Sequence, residues 1–354
     1  MKKLMVAAAV ITMASASMAD ISIKGDAYLQ YADNGISVSG SDTKNSKRVN
    51  LNVIGKSGAT TVVASFRTDD ETAARSGASN LHQFYITTKI GPVNVKAGDF
   101  YSTIGLGAWS KSEKSTDALS LSTKVGPVTL GMYTTNGGDV DIIEGAEING
   151  AVTFTSVTRH IASTTHVSIA AKIADVKVKV INNPKAKWTD LSVKSTFGGI
   201  LVAAEHFKKK SVNGDVPEKV TLLYVGGKAG AIKWDVAQYK NEDSDAGDNA
   251  KFAPLGSMLV GASARGGTQT AVATVGDFSK ILGVALSTKV AGNTIKAIYT
   301  KNTLGAADKV TGAELILTHA MSGGKLTANL AKLSGANFDA MNGTNKGIRF
   351  DVKF

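Results

Sequence analysis

The chain has 354 residues, no cysteine, 37 glycines, only 5 prolines and a formal net charge of +11. The missing cysteines exclude disulfide staples and thiol or Cys-based metal chemistry. The basic residues are dispersed, and even the densest run, Lys208-Lys209-Lys210, reads as a solvated loop, so no nucleic-acid partner is expected.

In chain order, the first segment is "MKKLMVAAAVITMASASMA". Lys2 and Lys3 precede an apolar stretch from Leu4 to Ala14, and Ser17 and Ala19 precede Asp20. This is the pattern of a secretory signal peptide over residues 1–19, cleaved after Ala19. Its apolar run is shorter than the roughly 20 residues a membrane-spanning helix needs. Residues 20–354 then read as one domain.

From Ile21 onward the dominant signal is alternation with period 2, and no helical period competes with it. In the first strand Ile21, Ile23, Ala27 and Leu29 share one face, opposite Ser22, Lys24, Asp26, Tyr28 and Gln30. The second sets Val49, Leu51 and Val53 against Arg48, Asn50 and Asn52. The last, "GIRFDVKF", sets Ile348, Phe350, Val352 and Phe354 against Arg349, Asp351 and Lys353.

One phrase recurs along the chain: "TTKIGPVNVKAG" at 87–98, "STKVGPVTLGMY" at 122–133 and, more loosely, "STKVAGNTIKAI" at 287–298. Each reads as two strands joined by a tight turn, with the proline placed where its missing N–H does no harm. Similar short joints fall at 56–59, Ala174-Asp175, Gly198-Gly199, 227–230 and 321–324. They alternate with long polar stretches at 33–44, 69–79, 100–115, 136–149, 209–217, 240–254, 301–309 and 333–344. Short joints therefore gather at one end of the sheet and long loops at the other.

The expected fold is all-β: a transmembrane antiparallel up-and-down barrel of about 16–18 strands. The count is about eighteen if 136–163 and 240–279 are long loops, and further strands could lie in 150–157 or 255–276. Three features favour a membrane barrel over a soluble sandwich. The hairpins run the length of the chain, the polar faces carry charges near strand centres, and an amphipathic strand continues to the last residue. Closure of such a sheet satisfies every backbone group in lipid.

The leader, the opening strand "ISIKGDAYLQYADNG", the segment "VNVKAGDFYSTIG" and the terminal "GIRFDVKF" together resemble the Gram-negative general porins. The resemblance implies an outer-membrane barrel, typically a homotrimer, whose third long loop folds inward to narrow a water-filled channel. It also implies that the terminal aromatic, Phe354, is read by the barrel-assembly machinery. No cofactor and no enzymatic role follow from it.

If the apolar faces meet lipid, the lumen receives Lys24, Arg48, Arg67, Lys96, Lys124, Lys177, Lys179, Lys194, Lys233, Lys296 and Arg349, against fewer acids: Asp26, Asp190, Asp235, Glu314 and Asp351. A wall with that excess concentrates anions and repels cations. The third loop, "YSTIGLGAWSKSEKST", adds Lys111, Glu113 and Lys114 and lacks the acidic cluster of many general porins. The expected activity is passive diffusion of small hydrophilic solutes and inorganic anions. The alternatives are a substrate-specific barrel channel, for phosphate or sugars for example, and a non-porous surface protein.

Other motifs give less. The acidic stretch "NEDSDAGDN" could hold a divalent cation through Glu242, Asp243, Asp245 and Asp248, but its spacing is not that of an EF-hand. Gly55-Lys56-Ser57 lacks the first glycine of a phosphate loop. Gly105-Leu106-Gly107 opens a dinucleotide fingerprint, yet Ser110 stands where the third glycine belongs. The histidines 82, 160, 166, 206 and 319 show no ligand spacing. Aromatic residues, at 6%, cannot be ordered along a path from sequence.

Overall fold

The computed structural model describes residues 20–34, 43–68, 79–108, 112–135, 138–148, 151–161, 164–210, 218–242, 278–304, 308–335 and 343–354. The leader and the acidic positions Asp243, Asp245 and Asp248 lie outside them.

The described residues form twenty strands: β1 Asp20–Asn34, β2 Thr43–Ser57, β3 Thr60–Thr68, β4 Ser79–Ile90, β5 Val93–Thr103, β6 Ser112–Val125, β7 Val128–Thr135, β8 Gly138–Ile148, β9 Ala151–Ile161, β10 Thr164–Ile173, β11 Val176–Asn183, β12 Trp188–Phe197, β13 Ile200–Lys209, β14 Glu218–Ala229, β15 Ile232–Asn241, β16 Phe278–Val290, β17 Asn293–Leu304, β18 Asp308–Met321, β19 Gly324–Gly335 and β20 Gly343–Lys353. Eighteen of them pair antiparallel in one sheet, and β20 pairs with β1, closing it into a barrel. β8 and β9 form a separate hairpin between β7 and β10, which pair directly with each other. The stretch 136–163, read from sequence as a loop, thus carries its own pair of strands outside the wall.

Turn chemistry explains the repeated phrase. Gly91 and Gly126 have φ of 57° and 58°, a conformation open to glycine at low cost. Each is followed by a proline, whose ring fixes a negative φ, and this is the sign pattern of a II′ hairpin turn.

The seam is closed by the last residue. Phe354 N donates to Gly25 O and Gly25 N to Phe354 O, at 3.0 and 2.7 Å. The Phe354 ring lies over Gly25, where any Cβ would collide with it. An aromatic side chain here fills the gap left by a strand glycine.

The outer face is apolar, as expected: Ile23, Val125, Ile173, Leu286, Leu330 and Phe354 are each more than half exposed. The inner face differs from the expectation. It is not uniformly polar, because Ile181, Trp188, Phe207, Val220, Leu222, Tyr239, Ile281, Ile298 and Ile316 form a buried apolar band along the inside of β11 to β18. These residues share their strand faces with Asp190, Glu205, Asp235 and Glu314, which are also buried. Period 2 sorts residues to a face, but it does not say what covers that face. Charges also sit less at strand centres than expected, since many inner lysines lie beside the tight turns.

Candidate functional site: the inner wall and the third loop

The third loop begins after Thr103 and ends before Ser112, so it is shorter than the stretch 100–115 read from sequence. A bulge between Gly98 and Phe100 bends the chain before it leaves the wall. Gly98 has φ of 115° and lies so close to Phe84 O that no side chain fits there. Across the bulge, Asp117 adopts φ of 50° and its N–H donates to Asp99 Oδ1 at 2.8 Å.

Beyond Thr103 the chain turns into the barrel. Ile104 and Ala108 are buried in the apolar band, with Leu106 packed against it. Glu205, on the inner face of β13, six strands round the wall from β5, holds the loop: Leu106 N and Ala108 N donate to its Oε2 at 2.5 and 3.0 Å. Lys179, on β11, donates to Thr103 O at 2.6 Å and Ile104 O at 3.2 Å. The fit is close enough that a Cβ on Gly105 would overlap the Glu205 carboxylate and approach Asp190 Oδ2 to 2.7 Å. Gly105-Leu106-Gly107 therefore does receive an anion, but the anion is the protein's own carboxylate. Glu205 is absent from the residues singled out by sequence, and nothing local marks it, because its partner lies almost a hundred positions away.

Six inner-face rings form a continuous arc from β4 to β13. Tyr85–Phe100, Phe100–Tyr133, Tyr133–His166, His166–Trp188 and Trp188–Phe207 have centroid distances of 6.1, 5.9, 5.1, 4.9 and 5.7 Å. Phe207 and Trp188 continue into the band under the loop. Lys96 Nζ stands over Tyr85 and Phe100 at 4.1 and 4.2 Å, a cation–π placement.

A cationic surface lies across the barrel from this anchor. Arg48 on β2 is nine strands from Glu205 on β13 in the eighteen-strand ring, which makes the two diametrically opposed in strand order. Arg349 Cζ lies 3.8 Å over the Tyr28 ring and Arg48 Cζ 5.6 Å from it. Arg349 also binds Asp351 Oδ1 through Nε and Nη2, at 2.9 and 2.6 Å. Arg67, on neighbouring β3, contacts His82 Nε2 at 3.0 Å.

Strand alternation puts Lys24, Arg48, Arg67, Lys96, Lys124, Lys177, Lys179, Lys194, Lys233, Lys296 and Arg349 on the inner face. They do not form one cluster. Lys179 is engaged with the third loop, Lys233 pairs with Asp235 at 3.3 Å, and the three arginines lie near the seam. Lys111 and the side chains of Glu113 and Lys114 lie outside the described residues. Sequence reading also passed over Lys172. In the observed register Lys172 faces Lys177 across β10 and β11, Lys177 faces Lys194 across β11 and β12, and Lys228 faces Lys233 across β14 and β15. All are exposed and lie beside the tight turns. Of the acidic candidates, Glu242 is held between Lys219 and Lys240, and among the described residues no group of three or more His, Asp or Glu side chains could hold a metal ion.

Solved structures share this architecture. OccK2 (OpdF) of Pseudomonas aeruginosa, crystallised with glucuronate, superposes with a TM-score of 0.64 at 9% identity, over 95% of this chain and 98% of that one. The fold is that of an outer-membrane porin. P. aeruginosa OpdK with vanillate gives 0.62 at 8% identity over 95% and 98%. A BenF-like porin from Pseudomonas fluorescens Pf-5 gives 0.61 at 10% identity, again over 95% and 98%. No protein-family model matches the chain, and no curated protein sequence does. The general-porin label suggested by the residues is thus not established, whereas the porin-type barrel is.

Proposed function

We propose that this protein is an outer-membrane channel selective for small anionic solutes, carboxylates above all, and that it is not a general diffusion pore. One observation carries the reading: lysines face lysines across neighbouring strands on the inner wall, at 172/177, 177/194 and 228/233. Like charges directly opposite on one face destabilise a sheet. Such a row is tolerable in a water-filled mouth, where it raises the local concentration of anions. Solute would pass between the third loop, pinned to β13, and the arginines of β2, β3 and β20.

Two solved barrels of the same fold were crystallised with vanillate and glucuronate. Both compounds carry a carboxylate, which suits a basic wall. Export through the 1–19 leader, recognition of Phe354 by the barrel-assembly machinery and assembly as a homotrimer belong to the same proposal.

The test is a planar-bilayer measurement under a salt gradient, followed by addition of glucuronate or uncharged glucose. The expected results are an anion-directed reversal potential and current block by glucuronate at concentrations where glucose has no effect. A cation-directed potential would refute the charge argument, and equal effects of the two sugars would leave a non-selective pore. Replacing Lys172, Lys177 and Lys194 by Gln moves the reversal potential toward zero if these lysines set the selectivity.

A further inference from the structure

On the outer face, near the long-loop end, each of eight consecutive strands carries an outward lysine. Lys208 of β13 faces Lys219 of β14, and Lys240 of β15 faces Lys280 of β16. Lys301, Lys309, Lys332 and Lys346 continue the series on β17 to β20. Their orientation follows from their strand mates: Leu223, Leu282, Tyr299, Leu315, Leu330 and Ile348 share these outward faces and are 43–54% exposed. Past the seam β1 carries Tyr31 and β2 one more outward lysine, Lys47, opposite Leu29, whereas the outward positions toward the same end of β4, β5, β10 and β12 carry Leu81, Tyr101, Val167 and Thr189. The lysines therefore form an arc on one side of the barrel.

Their level matches the edge of a bilayer. From Lys280 to Val290 the β16 strand runs about 33 Å, or roughly 25 Å along the barrel axis at the usual tilt, the height of the apolar band of such barrels. Lysine pairs face to face across strands are unfavourable unless an anion lies between them. The structure shows that one anion can serve two of them: the Glu242 carboxylate bonds Lys219 through Oε2 and Lys240 through Oε1, the latter at 2.8 Å. Lys280, Lys301, Lys309 and Lys332 have no ion-pair partner among the described residues.

We propose that this arc is a binding surface for the phosphate groups of lipid headgroups in the leaflet at the long-loop end of the barrel. The proposal rests on the membrane-channel reading above. Clustered lysines at a headgroup surface favour anionic lipid roughly fivefold per contacting lysine, through an attraction that falls off within a Debye length.

The test uses the full barrel reconstituted in phosphatidylcholine vesicles, with spin-labelled phosphatidic acid and spin-labelled phosphatidylcholine as probes of the lipid shell. The expected result is a preference for phosphatidic acid of roughly tenfold. It should fall below about twofold in a variant with Lys240, Lys280, Lys301 and Lys332 changed to Gln, and be unaffected by the inner-face change Lys289→Gln. Inorganic phosphate at matched ionic strength should not displace the lipid. If it does, the surface is a site for the free ion and the lipid proposal fails. Equal association of the two lipids, or an unchanged preference in the fourfold variant, also overturns it. Channel conductance is recorded in the same vesicles. A conducting barrel without lipid preference refutes only this inference, whereas a chain that neither inserts nor conducts refutes the channel reading and this inference with it.

Discussion

Glu205→Ala should release the third loop from β13. Glu205 accepts two backbone N–H groups, from Leu106 and Ala108. Hydrogen bonds to a charged group contribute about 1.5–3 kcal/mol each, so the carboxylate holds the loop by roughly 3–6 kcal/mol. Burial of Ile104 adds about 2 kcal/mol, and Lys179 holds the preceding carbonyls. Removing the carboxylate therefore takes away the largest single contribution and leaves two neighbouring N–H groups without their acceptor. The loop should then visit detached positions, which single-channel recording reads as higher open-channel noise and a broader distribution of conductance. Gly105→Ala should reproduce the effect, because its Cβ would overlap the same carboxylate. Lys179→Met should give a weaker version. If both Glu205→Ala and Gly105→Ala channels show wild-type conductance and noise, the loop is not held by this contact and the argument fails.

Three further outcomes are expected. Deleting Phe354 removes both seam hydrogen bonds with Gly25 and the ring that covers it; refolding into the heat-modifiable form on a denaturing gel should slow, and unchanged kinetics would show that the seam closes without it. Trp188→Ala, in the middle of the ring arc, should lower stability by about 3–5 kcal/mol, measured as the denaturant midpoint, and a loss under about 1 kcal/mol would mean that the band is not packed. Glu242 lies outside the strands, and its hydrogen bonds from Lys219 and Lys240 lower its pKa from 4.5 to about 2. A lowered carboxylate pKa stabilises above the unfolded value and loses that contribution as pH falls through the folded one. Any stability difference between wild type and Glu242→Gln should therefore hold above about pH 5 and vanish toward pH 2; a difference that grows in acid would contradict the pairing.

The sequence by itself determined the strands of the barrel wall apart from their ends, the tight turns and the sense of the strand faces, but not the β8–β9 hairpin. These are local properties: alternation needs only neighbours two positions apart, and a Gly-Pro turn needs only its own dihedrals. The closing strand was legible for the same reason, and the eighteen-strand wall follows if 136–163 is kept out of it.

What only the tertiary structure decided depends on register and on contacts between distant strands. Glu205 meets Gly105-Leu106-Gly107 because closure of the wall brings β13, six strands round from β5, to the loop. Six aromatic residues from six strands become one arc only when the stagger of the sheet brings them level. The eight outward lysines are separate polar positions in the sequence and form an arc only after the strands are tilted and closed. The inner apolar band has the same cause, since periodicity assigns a residue to a side of the sheet, while burial depends on what that side faces.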